Sequence, residues 1–326
     1  MNRNNSFFNN VLDFSADNDI IIPVTKEERV KIMHKKSLLY IILAGISWGT
    51  SSIFVSHLRP YGFSSLQMTS ARNIVAAVAM LVYALLINPK GLKVKLKELC
   101  LFVLSGIAVF ITSVSYYVAM KETTPATAVV LMYTAPVFVM IVSVLFMKEK
   151  FTKGKLIAIL LTVAGCGLVS GIVTNLRFSL IGFGYGLLAG IMYALYNILA
   201  KIEMRRGNNA VIATTYCFIT AGIIGLIVGN PAEMAGYIGK DVVRVLPLVI
   251  GIGASTGAFP YFLYTLASKK LPASVASALS SIEPLTAAIV SFVGIGVERE
   301  AFSVSSVIGI IAILVAVVIL SKNEEE

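Results

Sequence analysis

Charge is what this chain has least of. Only 13% of its 326 residues are Asp, Glu, Lys or Arg, and 57% are hydrophobic. Soluble domains sit near about 25% charged and about 45–50% apolar, so an ordinary soluble globule is excluded. Histidine occurs twice, at His34 and His57. The three cysteines, Cys100, Cys166 and Cys217, fall in or beside apolar blocks without CxxC or Cys/His spacing. Neither a zinc site nor a disulfide framework is indicated, and they read as small packing residues. There is no P-loop, no HExxH, no GxSxG and no pair of intramembrane aspartates. Direct ATP drive and intramembrane hydrolysis therefore lack equipment, and neither enzymatic activity nor a cofactor or metal is expected. The net charge of +10 is carried by short clusters between apolar blocks, not by an aromatic-interleaved basic patch, so nucleic acid is not an expected partner.

What the chain does have is apolar runs of helical length. They match the roughly 20 residues that cross about 30 Å of hydrocarbon, and the alternating segments of a membrane β-barrel are missing. The expected fold is an all-α integral membrane protein with ten spans: Leu38–Ser56, Leu66–Ile87, Leu99–Met120, Ala126–Phe146, Leu156–Val173, Leu180–Ala200, Val211–Val228, Leu246–Ala267, Ala273–Gly294 and Val304–Leu320. The longest connection, Gly229 to Val245, carries Asn230-Pro231 and has room for a brief helix. Residues 1–36 form a polar, Asn-rich segment without a signal-peptide pattern, expected as a loosely ordered tail with room for a short interfacial helix near Lys26–Lys36. With the amino terminus inside, 20 basic residues fall on the inner side and 6 on the outer, Arg72 lying within span 2. That bias predicts a multi-pass protein of the cytoplasmic membrane with both termini cytoplasmic.

The two halves repeat one design. LAGISWGTSSI in span 1 aligns with LAGIMYALYNI in span 6, which sets Trp48 opposite Tyr193 and Ser52 opposite Asn197. Tyr116 matches Tyr264, and Pro125 matches Pro272. Mid-helix Pro136 matches Pro284 after a small gap, and Glu149 and Glu300 each precede a small residue, Ala158 or Gly309, by nine positions. Five spans per repeat places residues 37–174 and 178–321 in opposite orientations in the bilayer. That inverted-topology symmetry recurs in secondary transporters.

Glu283 is the strongest candidate for chemistry, because a carboxylate inside an apolar span is costly unless it is used. It reads as a cavity group that binds an amine or cation or takes up a coupling proton, or as a structural partner for freed backbone. Pro284, Pro136 and Pro260 each remove one amide donor and are expected to kink their helices, as packing features or as hinges. Arg72 serves either a substrate carboxylate or Glu283, or it snorkels toward the outer surface. Trp48, Tyr116, Tyr133, Tyr193, Asn197 and Tyr264 complete the candidate substrate path, with helix packing as the competing reading. Gly182, Gly186 and Gly190 recur every fourth residue, as do Gly225/Gly229 and Gly253/Gly257. Such ridges allow helices to approach closely.

From Ser37 to Leu320 the chain resembles the ten-span drug/metabolite transporters (the DMT superfamily) built from two EamA-like domains. The resemblance rests on Trp48-Gly49, Arg72, Tyr133 with Pro136 and Glu149, then Glu283-Pro284, Glu300 and Gly309. Ala158 stands where a glycine is usual, and extra residues separate Pro284 from Glu300. The resemblance implies a permease for a small-molecule substrate in the lipid bilayer, with export of amino acids or related compounds as the direction. A multidrug or nucleotide-sugar carrier of the same fold is the alternative, and a non-transporting receptor or scaffold is the reading from a different class. Oligomeric state is not legible.

Overall fold

The computed structural model describes residues 26–123, 125–169, 179–294 and 304–323, and the regular elements among them are all helical. The N-terminal residues up to 25 and Glu300 lie outside the described residues. Helices α1 (Lys26–Gly49) and α2 (Ser51–Leu58) make the first span, followed by α3 (Ser65–Ile87) and α4 (Leu96–Glu122). The fourth span is split into α5 (Pro125–Met132) and α6 (Ala135–Phe146), and α7 (Lys153–Val169) follows. The second half runs α8 (Leu180–Arg205), α9 (Ala210–Val228), α10 (Pro231–Lys240) and α11 (Val242–Gly253). A π-helical turn, Ala254–Ala258, leads into α12 (Phe259–Ala267), then come α13 (Ala273–Leu279), α14 (Ile282–Val293) and α15 (Val304–Asn323).

Eight of these stretches are long and apolar enough to cross a membrane, and Val304–Leu320 is a shorter apolar helix. The span expected over Leu156–Val173 is described as far as Val169, giving a helix of 17 residues. Residues 170–178 and 295–303 are not among those described, so the expected boundary between the repeats, 174 to 178, falls outside the described residues. The large apolar side chains on the outer surfaces, such as Leu86 and Phe146 at 79% and 78% exposed, have no place in water and belong to lipid. This is a multi-pass membrane protein.

The expected interfacial helix near Lys26–Lys36 is not separate: α1 runs unbroken from Lys26 into the first span. That span then breaks at Thr50, which the apolar pattern does not show. The brief helix expected between Gly229 and Val245 is α10, started by Asn230, whose side chain accepts from the Glu233 amide, and by Pro231. Proline suits a helix's first turn because the amide it lacks would have no partner there. At the start of α3, Ser64 and Gln67 form a reciprocal capping box.

Packing follows a reciprocal scheme. Helix α3 lies along α9, α7 along α15, and α4 along α8, the last matched by α1 along α12. The glycines of α8 explain its closeness to its neighbours: a Cβ on Gly186 would sit 2.5 Å from Leu131 Cδ1, and one on Gly190 would sit 2.8 Å from the Leu131 carbonyl. The main core runs through the middle of the bundle, from Trp48 through Tyr193 and Tyr264 to Leu279.

Candidate functional site

Two broken helices build the site. Helix α5 ends at Met132, a turn occupies Tyr133-Thr134, and α6 restarts with Pro136 in its first turn. Helix α13 ends at Leu279, Ser280-Ser281 turn, and α14 restarts with Glu283 and Pro284. The expected kinks at Pro136 and Pro284 are thus full interruptions. Each break is held by hydroxyls that give their protons to nearby carbonyls: Thr134 to Leu131 (2.6 Å), Ser280 to Ser277 (2.6 Å) and Ser281 to Ala278 (2.7 Å). Pro284 has no N–H for the Ser280 carbonyl. That oxygen accepts instead from the Glu283 amide at 3.0 Å and the Tyr133 hydroxyl at 3.3 Å. The same Tyr133 hydroxyl lies 2.8 Å from Glu283 Oε2, so one break presents its tyrosine to the carboxylate of the other.

Pro260 works with the π turn. The Phe259 amide bonds to the Ala254 carbonyl, five residues back. The next amide in that register would serve the Ser255 carbonyl, but Pro260 has none. Ser47 of α1 fills the place, donating its hydroxyl to the Ser255 oxygen. A gap in one helix is thereby tied to the helix that carries Trp48.

A cavity of about 70 Å³ lies among these elements, lined by Trp48, Arg72, Ser113, Tyr116, Tyr193 and Glu283 among others. Tyr117, Tyr261, Thr112 and Thr256 complete much of its polar and aromatic wall. Arg72 donates from Nη2 to Ser113 Oγ at 2.7 Å, while its buried Nε has no acceptor among the described residues. Trp48 Nε1 is likewise unpartnered among them. The Trp48 ring meets Tyr261 edge-on at 5.0 Å and Tyr264 at 6.0 Å, and Tyr196 packs on both tyrosines. An aromatic floor therefore closes one end of the cavity.

Of the residues singled out in the sequence, Trp48, Arg72, Tyr116, Tyr193 and Glu283 are brought to one cavity, and Tyr133 is bonded to the last. Asn197 and Tyr264 are not at the wall. Asn197 is buried and donates to Ser277 Oγ at 2.9 Å, and Tyr264 is fully buried against Trp48 and Tyr196. Three participants escaped the sequence reading. Ser113 and Thr112 are ordinary serine and threonine residues of a span, where such residues commonly bond their own backbone, as both also do here. Lys201 looked like the first basic residue of a loop, yet α8 continues to Arg205 and buries it. Its spacing of four from Asn197 and eight from Tyr193 is the signal that places it on their face.

The family comparison decides what kind of protein carries this geometry. The EamA-like transporter family matches residues 35–171 and again 180–322. The chain belongs to the EamA-like transporter family. Its relatives span nearly the same length. An uncharacterized transporter of Archaeoglobus fulgidus is 30% identical over 281 residues, 86% of this chain and 94% of that one. The uncharacterized transporter YwfM of Bacillus subtilis is 27% identical over 288 residues, covering 87% and 93% of the two chains. The uncharacterized inner membrane transporter YicL of Salmonella typhimurium is 23% identical over 297 residues, 89% of this chain and 96% of its own. One crystal structure shares the fold at a TM-score of 0.71 over 90% of this chain and 99% of its own, with 15% identity. A Cβ on Gly49 would fall 2.4 Å from Thr286 Cβ and 2.7 Å from the Glu283 carbonyl, so α1 reaches the proline break because it has a glycine there.

Proposed function

We propose that this EamA-family protein is a secondary permease that moves a small organic metabolite across the cytoplasmic membrane by alternating access. The proposed cargo is an amino acid or related compound, and the proposed direction is export. The observation that carries the reading is the placing of Arg72 and Glu283 on one aromatic-walled cavity, each held by a neutral hydroxyl. Such a cavity offers a cation to a carboxylate, an anion to an ammonium group, and tyrosine faces to an apolar body. Arg72 is the one cation among the lining residues. That suits a single carboxylate better than the diphosphate of a nucleotide sugar. The multidrug reading has less to recommend it, since two opposite charges would be wasted on most lipophilic solutes.

At about 70 Å³ the space holds a few waters and is far below the 300 Å³ or more of ordinary ligand pockets. This supports a closed state that must open to load. The reciprocal helix pairing supports two inverted repeats of five spans, residues 37–174 and 178–321. Glu283 is the proposed site of proton coupling, and the excess of basic residues on one side supports both termini in the cytoplasm. The test is counterflow of labelled amino acids and metabolites in proteoliposomes, after a thermal-stabilisation screen. Exchange of a stabilising solute is the expected result. A solute that binds and stabilises without any flux would replace this reading with that of a receptor or scaffold. Retention of full, gradient-driven transport by Glu283→Gln would remove the proton.

A further inference from the structure

From the cavity wall toward its C-terminal end, α8 carries a stripe of three buried polar side chains spaced by four: Tyr193, Asn197 and Lys201. Residues so spaced lie one above another on a helix. Each is bonded to α13, to the turn that follows it, or to the link between α12 and α13. Tyr193 donates to Ser280 Oγ at 3.0 Å, and Asn197 to Ser277 Oγ at 2.9 Å. Lys201 Nζ donates to the Ser268 carbonyl at 2.9 Å and the Leu271 carbonyl at 2.6 Å. Beside them, Tyr196 and Thr265 share a hydrogen at 3.2 Å, so α12 is joined to the same helix.

The last rung differs from the others because it is charged and doubled. Lys201 meets the C-terminal end of α12, whose last carbonyls have no partner in the helix and form its negative pole. Five residues beyond Ser268, the same link is held from another direction. Glu149, in the connection between α6 and α7, accepts from the Ala273 amide through Oε1 and from the Ser274 hydroxyl through Oε2, both at 2.7 Å. Two opposite charges from separate elements thus pin the short link after α12 and the first residues of α13. All of this lies at the end of the bundle where α6, α8 and α12 finish, the end that Arg205 also ties to the Met147 carbonyl at 3.0 Å.

We propose that Lys201 and Glu149 form a latch that closes this face of the bundle, and that the Asn197–Ser277 and Tyr193–Ser280 rungs above it part only after the latch has opened. The physical basis is the difference between the rungs. A hydroxyl or amide rung exchanges one neutral hydrogen bond for another with water and is worth little net. A charge moves the balance more, because its bonds are stronger in a site shielded from solvent. Lys201 is 5% exposed and Glu149 about half-buried at the rim, so both return to water by a small outward movement of the link. Neither residue touches the cavity, and the latch would act whatever solute is carried.

The latch predicts side-specific accessibility. In a chain with exposed Cys100 replaced by serine, Ser277→Cys gives a reporter between latch and floor that keeps an acceptor for Asn197. The C100S parent, with its buried Cys166 and Cys217, supplies the background. In vesicles of known orientation, an impermeant thiol reagent is expected to react slowly with this reporter from either side. Adding Lys201→Met or Glu149→Ala is expected to raise the rate at least tenfold from the latch face alone, and Lys201→Arg, which keeps donors for the two carbonyls, to leave it low. Unchanged rates in Lys201→Met and Glu149→Ala would overturn the proposal, as would an equal rise from the opposite face. Should Lys201→Met fail to give a monodisperse protein, the milder Glu149→Gln decides in the same assay: it should accelerate labelling from the latch face, and no acceleration counts against the latch.

Discussion

Glu283 and Arg72 reach the cavity from α14 and α3, and the groups that hold them are a tyrosine from the turn between α5 and α6 and a serine from α4. Removing the hydroxyl of Tyr133 leaves the carboxylate without its 2.8 Å donor. Hydrogen bonds to charged groups contribute about 1.5–3 kcal/mol, so Tyr133→Phe should weaken transport by roughly ten- to a hundredfold. Glu283→Gln should be more severe for substrates that carry an ammonium group. Both are read from counterflow rates against concentration, and a Tyr133→Phe protein with wild-type kinetics would detach the tyrosine from the site. Gly49 gives a steric prediction. With Thr286 Cβ only 2.4 Å from an added Cβ, Gly49→Val should cost about 1–3 kcal/mol through overpacking and lower the melting temperature in detergent. Glu283 was legible in the sequence because a carboxylate in an apolar run has no bland explanation. Ser113 was not, because nothing in a lone hydroxyl announces that an arginine 41 positions earlier will find it.

At the scale of the element, the proline breaks and the π turn make carbonyls available, and neighbouring helices use them. Ser47 and Pro260 should therefore be coupled. Ser47→Ala strands the Ser255 carbonyl in a part-buried place, at a cost of about 1–3 kcal/mol. Pro260→Ala restores an amide in the same register, so the double variant should be less destabilised than the sum of the two singles. A double-mutant cycle on unfolding free energies checks this, and strict additivity would mean that the Ser47 bond does not replace the missing amide. Outside the bilayer, α10 is fastened to the start of α3 through Glu233. This carboxylate accepts from Gln67 Nε2 at 2.8 Å, from Asn230 Nδ2 at 3.0 Å and from the Tyr237 hydroxyl. The bond to Glu233, then partial desolvation and the nearby negative charge, hold the Tyr237 phenol above its ordinary 10.0. The sign follows directly. A raised folded value means that the contribution of the Tyr237 proton is fully present as pH approaches 10 from below and is lost as pH climbs through the raised value. Ultraviolet titration of wild type against Tyr237→Phe should show one phenol missing from the region above 10.0. These prolines could be picked out in the sequence, but their partners could not, since Ser47 lies 208 positions from Ser255.

For the whole molecule, the proposed orientation rests on the uneven placing of basic residues. Reporter cysteines at Asn208 and Lys240 should be labelled from opposite sides of the membrane, Asn208 from the cytoplasm, with tags at both termini protected from outside. Labelling of each reporter from both sides would indicate mixed insertion and overturn the orientation. The same picture sets the basic connections at Lys93–Lys97 and Arg205–Arg206 on the latch side. There Glu98 pairs with Arg206 at 3.3 Å and accepts from Asn208 at 2.7 Å.

Hydropathy and periodicity alone determined that this is a helical membrane protein, where most of its spans run, and that its halves share a design. The reason is that lipid offers no partner for a backbone amide, so any apolar stretch of spanning length must become helix whatever surrounds it. The sequence also singled out Glu283, Arg72 and the paired prolines, since each breaks a local rule that the bilayer enforces. Only the tertiary structure decided which of the aromatic residues face the cavity, that Asn197 and Tyr264 are buried away from its wall, and that Lys201 is buried on the same helix face as Asn197. Those outcomes depend on which helices meet and at what height, and that is set by close packing at glycines such as Gly49 and Gly190 between segments far apart in the chain. It was also the tertiary structure that turned Glu283 and Tyr133, 150 positions apart, into one hydrogen-bonded pair. Each stands at a proline-interrupted turn, and the bundle packs those two turns against each other.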